Sequence, residues 1–590
     1  MQLPPHTTIG DLFASDIQFV IPAYQRAYSW EADEHPPHNH LPQFVQDLRE
    51  HPRPEPPEPS KPYYLGHYLF ESQFEGQLRI IDGQQRLTTI VIFFRCLTLE
   101  LLGRLDTADQ TDRHLIHNLD PKRLHETYLK RGQRTRLLTV DDDRSFFDAL
   151  LTSGDRPGSD PTRSQKRLQD AKDYFSKTFR KTRSTLELIQ WADLVEKAVI
   201  TCFEVEDKVQ ATQIFAFQND RGKKLTDLEK LKAYLMLQTY LNSEVQEEIE
   251  SIRIIEDHFT KIYQLTEQIH LLYEDDVLRH HVTAYMATWD PPLENVKKTI
   301  NSIKDRTERV VWIKKFCNDL RKSFEQVKML EALARNHECI MDLLLLDASN
   351  SWPMLLRLYN QFGVQITASP VREVLCLIEI ALFKFGFMHG NAINDLPTYA
   401  KEYDHNIEAL RETLERVSQW GFRGWGHFNT QFASALNGNY HWHKAFRYLL
   451  WKYENSIRRE RDYDLSPTQY VNEVGDRAMD STLDHITPRN PCAEDPVRDE
   501  LFARDYLNNI GNLVLMPHGM NSSFRNKLPM EKYSLLVDSS LASHREVGRT
   551  IQEDGTWGPE QIEARKQKII RFALDRWRAK EPEPAGIKSD

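Results

Sequence analysis

The spacing of apolar positions divides this chain into unlike stretches. Residues 63–74 and 77–81 are rich in aromatic and branched side chains and are separated by Glu75-Gly76, which predicts a β-hairpin. Past Ile81 the period changes: Leu87, Ile90, Val91, Phe94, Leu97 and Leu101 recur at helical spacing, with the break at Asp82-Gly83. A further strand is predicted over 198–205, followed by helical spacing over 211–237 that is interrupted at 219–222. From about 241 to 440 amphipathic helices dominate, including 310–333 and 371–387. Residues 441–580 open with a helix over 442–461, pass through strand, loop and strand around 482–516, and end in a helix over 559–578. The fold class is therefore α+β, multidomain and predominantly helical. It divides into an α/β domain (1–240), a helical scaffold (241–440), a mixed C-terminal domain (441–580) and a disordered tail (581–590).

Two segments resist this patterning. Between 34 and 62 the prolines of HPPHNHLP and HPRPEPPEPSKP remove backbone donors. His35, His38 and His40 in that stretch read better as a solvated loop than as metal ligands, because His-rich tracts are weak signals. The six cysteines are scattered without a CxxC pair, which argues against a disulfide framework or a zinc-thiolate site and predicts buried, reduced thiols.

Charge narrows the function. Among 590 residues, 76 are Lys or Arg and 87 are Asp or Glu, a net charge of −11. A protein that coats nucleic acid by bulk charge would be strongly basic, so any phosphate contact here is local. Residues 441–580 are close to neutral, with 22 basic against 21 acidic, so the acidity belongs to the first 440 residues. No stretch approaches the roughly 18–20 apolar residues of a bilayer-spanning helix. The first ten residues show no signal-peptide pattern, so a cytoplasmic location and no membrane partner are expected.

The densest chemistry lies in S-T-L-D-H-I-T-P at 481–488 and N-N-I-G-N-L-V-L-M at 508–516. A His directly after an Asp on a short strand suits a general base beside a carboxylate that holds a divalent metal. If the second strand, 512–516, runs antiparallel to the first, Asn512 is placed to fix the His485 tautomer. Asn521, near a helix start, then completes a hard-cation site with Asp484, and Arg525 and Lys527 are candidates for holding phosphate. The bland alternative is that these Asp and Asn residues occupy polar turns.

At the other end, R-I-I-D-G-Q-Q-R at 79–86 ends a strand at Asp82, turns at Gly83 and starts a helix near Gln85, whose backbone N–H groups then face an anion. Arg86 adds a forked cation suited to a triphosphate, and Gln84 and Gln85 suit phosphate oxygens or a water. A companion segment, I-P-A-Y-Q-R-A-Y-S-W-E at 21–31, sets Tyr24, Gln25, Arg26, Tyr28 and Trp30 together. That is either a base-stacking, backbone-gripping group or an aromatic cluster on the core.

The C-terminal stretch resembles the HNH, or His-Me finger, nuclease core, with a longer inter-strand loop at 489–509. The N-terminal segments resemble the ParB/sulfiredoxin-like domain of the GmrSD group of type IV restriction enzymes and of SspE-like phage-defence proteins. The resemblance extends to Q-I-F-A-F-Q-N-D-R-G-K-K-L at 213–225, where Phe215, Asn219, Arg221, Gly222 and Leu225 keep the family's character and Gln218 departs from it. What the resemblance implies is a ββα-metal endonuclease in which His485 is the base, Asn512 orients it, and Asp484 and Asn521 hold Mg²⁺ or Mn²⁺. It further implies an NTPase, with regulation by binding and hydrolysis of an NTP (GTP, ATP, CTP or UTP) at Asp82, Gly83, Gln84, Gln85, Arg86, Asn219, Arg221 and Gly222. The implied substrate is double-stranded DNA, above all modified phage DNA, and a homodimer is compatible with control between distant domains. No Walker A sequence is present, so a P-loop is not the nucleotide site. A nucleotide-dependent sensor acting through a partner and an RNA-directed nuclease remain alternatives. The basic helix at 561–580 is equally a DNA-facing surface or a solvated face.

Overall fold

The computed structural model describes residues 4–33, 35, 39–51, 62–74, 76–152, 161–205, 226–244, 247–286, 291–389, 395–421, 428–438, 444–459, 482–489, 500–516 and 527–578. Asn219, Arg221, Gly222, Asn521, Arg525, Cys492 and the 581–590 tail lie outside these. The chain forms two compact units, Met1–Leu278 with Pro291–Glu325, and Arg279–Asp290 with Gln326–Asp590. The helical stretch expected to stand alone over 241–440 is thus divided between them.

The first unit carries a six-stranded mixed sheet. In chain order its elements include β1 (His6–Thr8), α1 (Ile9–Ala14), β2 (Gln18–Val20), α2 (His40–Glu50), β3 (Tyr64–Phe74), β4 (Gln77–Asp82), α3 (Gln84–Arg104), α4 (Pro121–Tyr128), β5 (Leu137–Leu138), α5 (Arg163–Lys181), α6 (Thr185–Glu196), β6 (Val199–Val205) and α7 (Asp227–Asn242). The strand order is β1-β6-β3-β4-β2-β5. The β3–β4 hairpin is antiparallel as its sequence predicts, while β6 joins β3, and β2 joins β4, in parallel. Period-2 alternation sorts the two faces. Tyr68 and Phe70 enter the main core, and Leu69 joins Ile81 and Val205 in a smaller cluster on the other side.

Helix α3 is buried nearly all round, with Leu87, Ile90, Val91, Ile92, Phe93, Phe94 and Leu97 each close to zero exposure. It therefore serves as the hub on which α4, α5 and α6 pack. At about 1.5–3 kcal/mol for each fully buried large apolar side chain, this one helix is a major source of the unit's stability. Its first turn is fixed as a consequence, which places the DGQQR residues rigidly.

The second unit is mostly helical. Its elements include α8 (Glu338–Phe362), α9 (Val371–His389), α10 (Lys444–Arg459), β7 (Thr482–His485), β8 (Leu513–Met516), α11 (Pro529–Val537), α12 (Ala542–Asp554) and α13 (Pro559–Arg576). Helix α10 organises it through buried charge. Lys452 bonds Glu338 and Asp342 on α8, and Glu454 takes Arg458 while accepting from the N–H groups of Ala542 and Ser543 at 2.7 Å each. Glu454 thereby caps α12, whose own N-cap residue, Leu541, makes no side-chain cap bond. Strands β7 and β8 pair antiparallel, with Leu513 opposite His485 and Val514 opposite Asp484.

The thiols are less uniform than expected. Cys96, Cys202 and Cys317 are buried and unbridged, but Cys339 and Cys376 are only half-buried.

Candidate functional site

The β7–β8 pair brings Asp484 and His485 to the end of a short hairpin. His485 is 6% exposed, and its Nε2 lies 3.1 Å from Oδ1 of Asn508. Asn512 does not touch the imidazole through any bond seen here. It ends a 3₁₀ turn, Ile510–Asn512, immediately before β8, and is fully buried. Its Oδ1 accepts from Thr487 N at 2.9 Å, and its Nδ2 donates to Thr487 O (3.2 Å) and Leu507 O (2.9 Å). Asn512 therefore clamps the backbone on both sides of the hairpin, and the side-chain partner of His485 is Asn508, which the sequence reading passed over.

A second residue was also missed. Lys532 on α11 donates from Nζ to Asp484 Oδ2 at 2.8 Å and to His485 O at 2.6 Å, with its side chain 1% exposed and that of Asp484 15% exposed. Burial pushes the Asp484 carboxyl up and the Lys532 ammonium down, and each one's charge on the other resists that shift. The sequence did carry a signal for it. Lys532 falls on the same helix stripe as buried Pro529 and Leu536, where a charge needs a partner. The Asp484 carboxylate is an oxygen ligand that suits a hard divalent ion, with the Lys532 ammonium on its Oδ2, and no group of three or more His, Cys, Asp or Glu side chains that could hold a metal ion occurs among the described residues. Of the two expected ligands, Asp484 and Asn521, Asp484 is the described one. Lys527 precedes α11, outside this group of contacts.

The shape behind the hairpin is set by α13. Arg565, 3% exposed, donates to the carbonyls of Ile510, Gly511 and Leu513 at 3.3, 2.9 and 2.8 Å. Gly511 is required at this approach, because a Cβ there would lie 1.9 Å from the Ile562 carbonyl oxygen. Arg576 pairs with Glu379, and Lys568 with Glu546. Of the basic row that is equally a DNA-facing or a solvated face, Arg565 is buried and Arg576 half-buried on internal partners, whereas Lys568, Arg571 and Arg578 are exposed.

Strand β8 is also fastened by His544, which is fully buried. Its Nε2–H donates to Leu515 O at 2.5 Å, and Nδ1 accepts from Ser539 Oγ at 2.9 Å. Burial holds its pKa down to about 4. An unfolded His, near 6.5, takes up a proton as pH falls, but the folded one does not. The stabilisation is thus complete above pH of about 6.5 and is lost toward pH 4, amounting to about 3 kcal/mol. Urea unfolding at pH 7.5 and pH 5 is expected to show about 2 kcal/mol of this loss in the wild type and a smaller pH difference in His544→Gln.

In the first unit, the DGQQR turn has the predicted backbone. Gly83 is left-handed (φ 94°), and α3 begins at Gln84 with no side-chain cap on its first turn. A Cβ at Gly83 would lie 2.3 Å from the Tyr68 ring, so glycine serves both the turn and the packing. The side chains, however, are turned to other partners than a phosphate. Arg86 donates to Leu65 O (2.7 Å) and His67 O (2.6 Å), reaches Asp82 at 3.4 Å and lies over the Tyr68 ring. Gln84 Nε2 donates to Arg26 O, and Gln85 binds both Ala27 O and Ser29 N. The Oε1 of Gln84 is buried without a hydrogen-bond partner. Burial raises the Asp82 pKa against the pull of Arg86.

The 21–31 segment is correspondingly a strap and not an open stacking surface. Gln25 donates to Ile81 O at 2.9 Å, Tyr28 is buried with its hydroxyl 2.8 Å from Thr89, and Arg26 meets Glu229 and Glu274 at 3.1 and 3.4 Å. Lys232 on α7 donates to Tyr24 O at 2.8 Å and lies 4.3 Å from the Tyr24 ring centre. Of the segment's predicted residues, Trp30 lines a cavity of about 740 Å³, together with His40, Tyr63, Tyr64, His67 and Arg86. His40 stacks on Trp30 at 5.9 Å, so this His has a structural place in the wall.

Among the described residues, no helix is long and apolar enough to cross a membrane. No curated protein matches the chain. A family model for the N-terminal domain of GmrSD restriction endonuclease matches residues 9–236, and one for the C-terminal domain of GmrSD restriction endonucleases matches residues 428–572. The first match contains the DGQQR turn and its strap, the second contains the β7–β8 hairpin, and with both in place the chain belongs to the GmrSD restriction endonucleases.

Proposed function

We propose that this restriction endonuclease cuts modified foreign DNA by HNH-type, divalent-metal-dependent hydrolysis, under control of an NTP at the DGQQR turn. The observation that carries the nuclease reading is His485: a buried imidazole whose Nε2 meets Asn508, next to a carboxylate at the end of an antiparallel hairpin. His485 takes the proton from the attacking water, and the hairpin holds its ring still. Asp484 and Asn521 would hold Mg²⁺ or Mn²⁺, which when bound supplies a Lewis acid for the scissile phosphate. Arg525 and Lys527 are proposed phosphate contacts.

At the front end, the uncapped first turn of α3 supports an anion site, and the unpartnered Gln84 Oε1, an acceptor, suits a water or another donor group beside it. Asn219, Arg221 and Gly222 are proposed to complete it. The aromatic-walled cavity beside Arg86 is the proposed place for the sensed group of the DNA. A cytoplasmic homodimer is the proposed working form.

Phosphate release with each NTP should fall at least tenfold in Asp82→Ala; equal release from both proteins removes that nucleotide site. The broader test incubates glucosylated-hydroxymethylcytosine phage DNA, its unmodified counterpart and RNA with Mg²⁺ or Mn²⁺, with and without each NTP. Cleavage confined to modified DNA is the expected result. Preferential cutting of RNA would favour the alternative reading of an RNA-directed nuclease.

A further inference from the structure

The atoms around His485 contain information about its proton. Oδ1 of Asn508 meets two groups, His485 Nε2 at 3.1 Å and an Nη of Arg489 at 3.2 Å. A guanidinium has only donors, so the amide atom facing Arg489 is the oxygen and not the nitrogen. The same oxygen can only accept from the imidazole. Nε2 therefore carries the proton in the neutral ring, and the lone pair lies on Nδ1. Without Arg489, the Asn508 amide is free to turn and present its NH₂ to Nε2, which reverses the tautomer.

We propose that Asn508 is the positioning residue that sets the Nδ1-basic tautomer of His485, and that Arg489 acts by holding the Asn508 amide oxygen toward the ring. This rests on the reading of His485 as the general base. It differs from the role that family resemblance gives to Asn512, whose amide is engaged by the main chain of Thr487 and Leu507. Arg489 is exposed at this edge, so a direct DNA contact is the competing role for it.

The test is single-turnover cleavage of glucosylated-hydroxymethylcytosine phage DNA by full-length protein with Mn²⁺, alongside DNA binding and thermal melting. Asn508→Leu should lower the cleavage rate by about 10²- to 10⁴-fold, the scale of losing tautomer control, with DNA affinity and melting unchanged. Asn508→Asp keeps an acceptor toward Nε2 and should retain activity within about tenfold. Arg489→Leu should lower the rate by an intermediate factor. A carboxylate has no wrong orientation, so the Arg489→Leu loss should vanish when the change is made in the Asn508→Asp background. A full Arg489→Leu loss in that background would assign Arg489 to DNA and overturn its role here. A normal rate for Asn508→Leu would overturn the proposal while leaving an inactive His485→Ala, and with it the nuclease reading, intact. If Asn508→Leu melts early, the Asn508→Asp pair of measurements decides alone. Cleavage by His485→Ala at the normal rate would remove both readings.

Discussion

His485→Ala is expected to lose cleavage by about 10²- to 10⁴-fold, to the background of the assay, while melting at the wild-type temperature. The imidazole is small, and its described side-chain bond is to Asn508, a half-buried residue at the rim of the hairpin. Removing it opens a space that water can enter and solvate. The hairpin itself is held by other groups: the Asn512 clamp, the Arg565 fork and the His544 bond to Leu515. Activity and stability should therefore separate cleanly. A folded His485→Ala protein that cuts DNA at the normal rate would show that the base lies elsewhere.

Lys532→Met is expected to behave in the opposite way, with a loss of both stability and cleavage. The Lys532 ammonium is enclosed, and its two partners, Asp484 Oδ2 and His485 O, join α11 to the first strand of the hairpin. Methionine fills the volume but leaves a carboxylate in a largely buried place without its counter-charge. Removing one partner of such a pair destabilises by about 3–5 kcal/mol, much of it the cost of the stranded charge. The second unit should melt correspondingly early. Adding Asp484→Asn should recover a large part of that loss, because the stranded charge is gone and an amide still accepts or donates. Equal stability of the wild type and Lys532→Met in urea would mean that the ion pair does not hold α11 to the hairpin.

Periodicity made most elements legible. The helix predicted over 559–578 is Pro559–Arg576, and that over 310–333 lies within Arg306–Ala334. The hairpin at 63–81 and its switch to a helix at Gly83 also follow the sequence, because period 2, period 3.6 and a left-handed glycine are local properties of the chain. The Asp-His strand and its antiparallel partner were legible for the same reason, as two short apolar runs with turn residues between them.

The partners of the polar side chains were not legible in this way. Arg86 and Trp30 both border the cavity, but Arg26 and Tyr28, between strap and core, are turned inward to Glu229, Glu274 and Thr89. Those partners come from up to 248 positions away in the chain, and nothing in the local pattern of 21–31 tells an inward guanidinium from an outward one. Asn508 and Asn512 show the same difficulty at closer range. Both are asparagines in the turn that leads into β8, and the four-residue offset places one against the imidazole and the other against the main chain.

The amino-acid sequence by itself determined where the helices and strands lie, which glycines the turns need, and that an Asp-His pair and a DGQQR turn each stand at the end of a strand. It could do so because backbone preference and apolar spacing act over a few residues. Only the tertiary structure decided that Asn508 meets His485, that Lys532 neutralises Asp484, and that the 21–31 segment ties a turn to a helix. A hydrogen bond or ion pair depends on distances of about 3 Å between groups far apart in the chain, and packing alone fixes those.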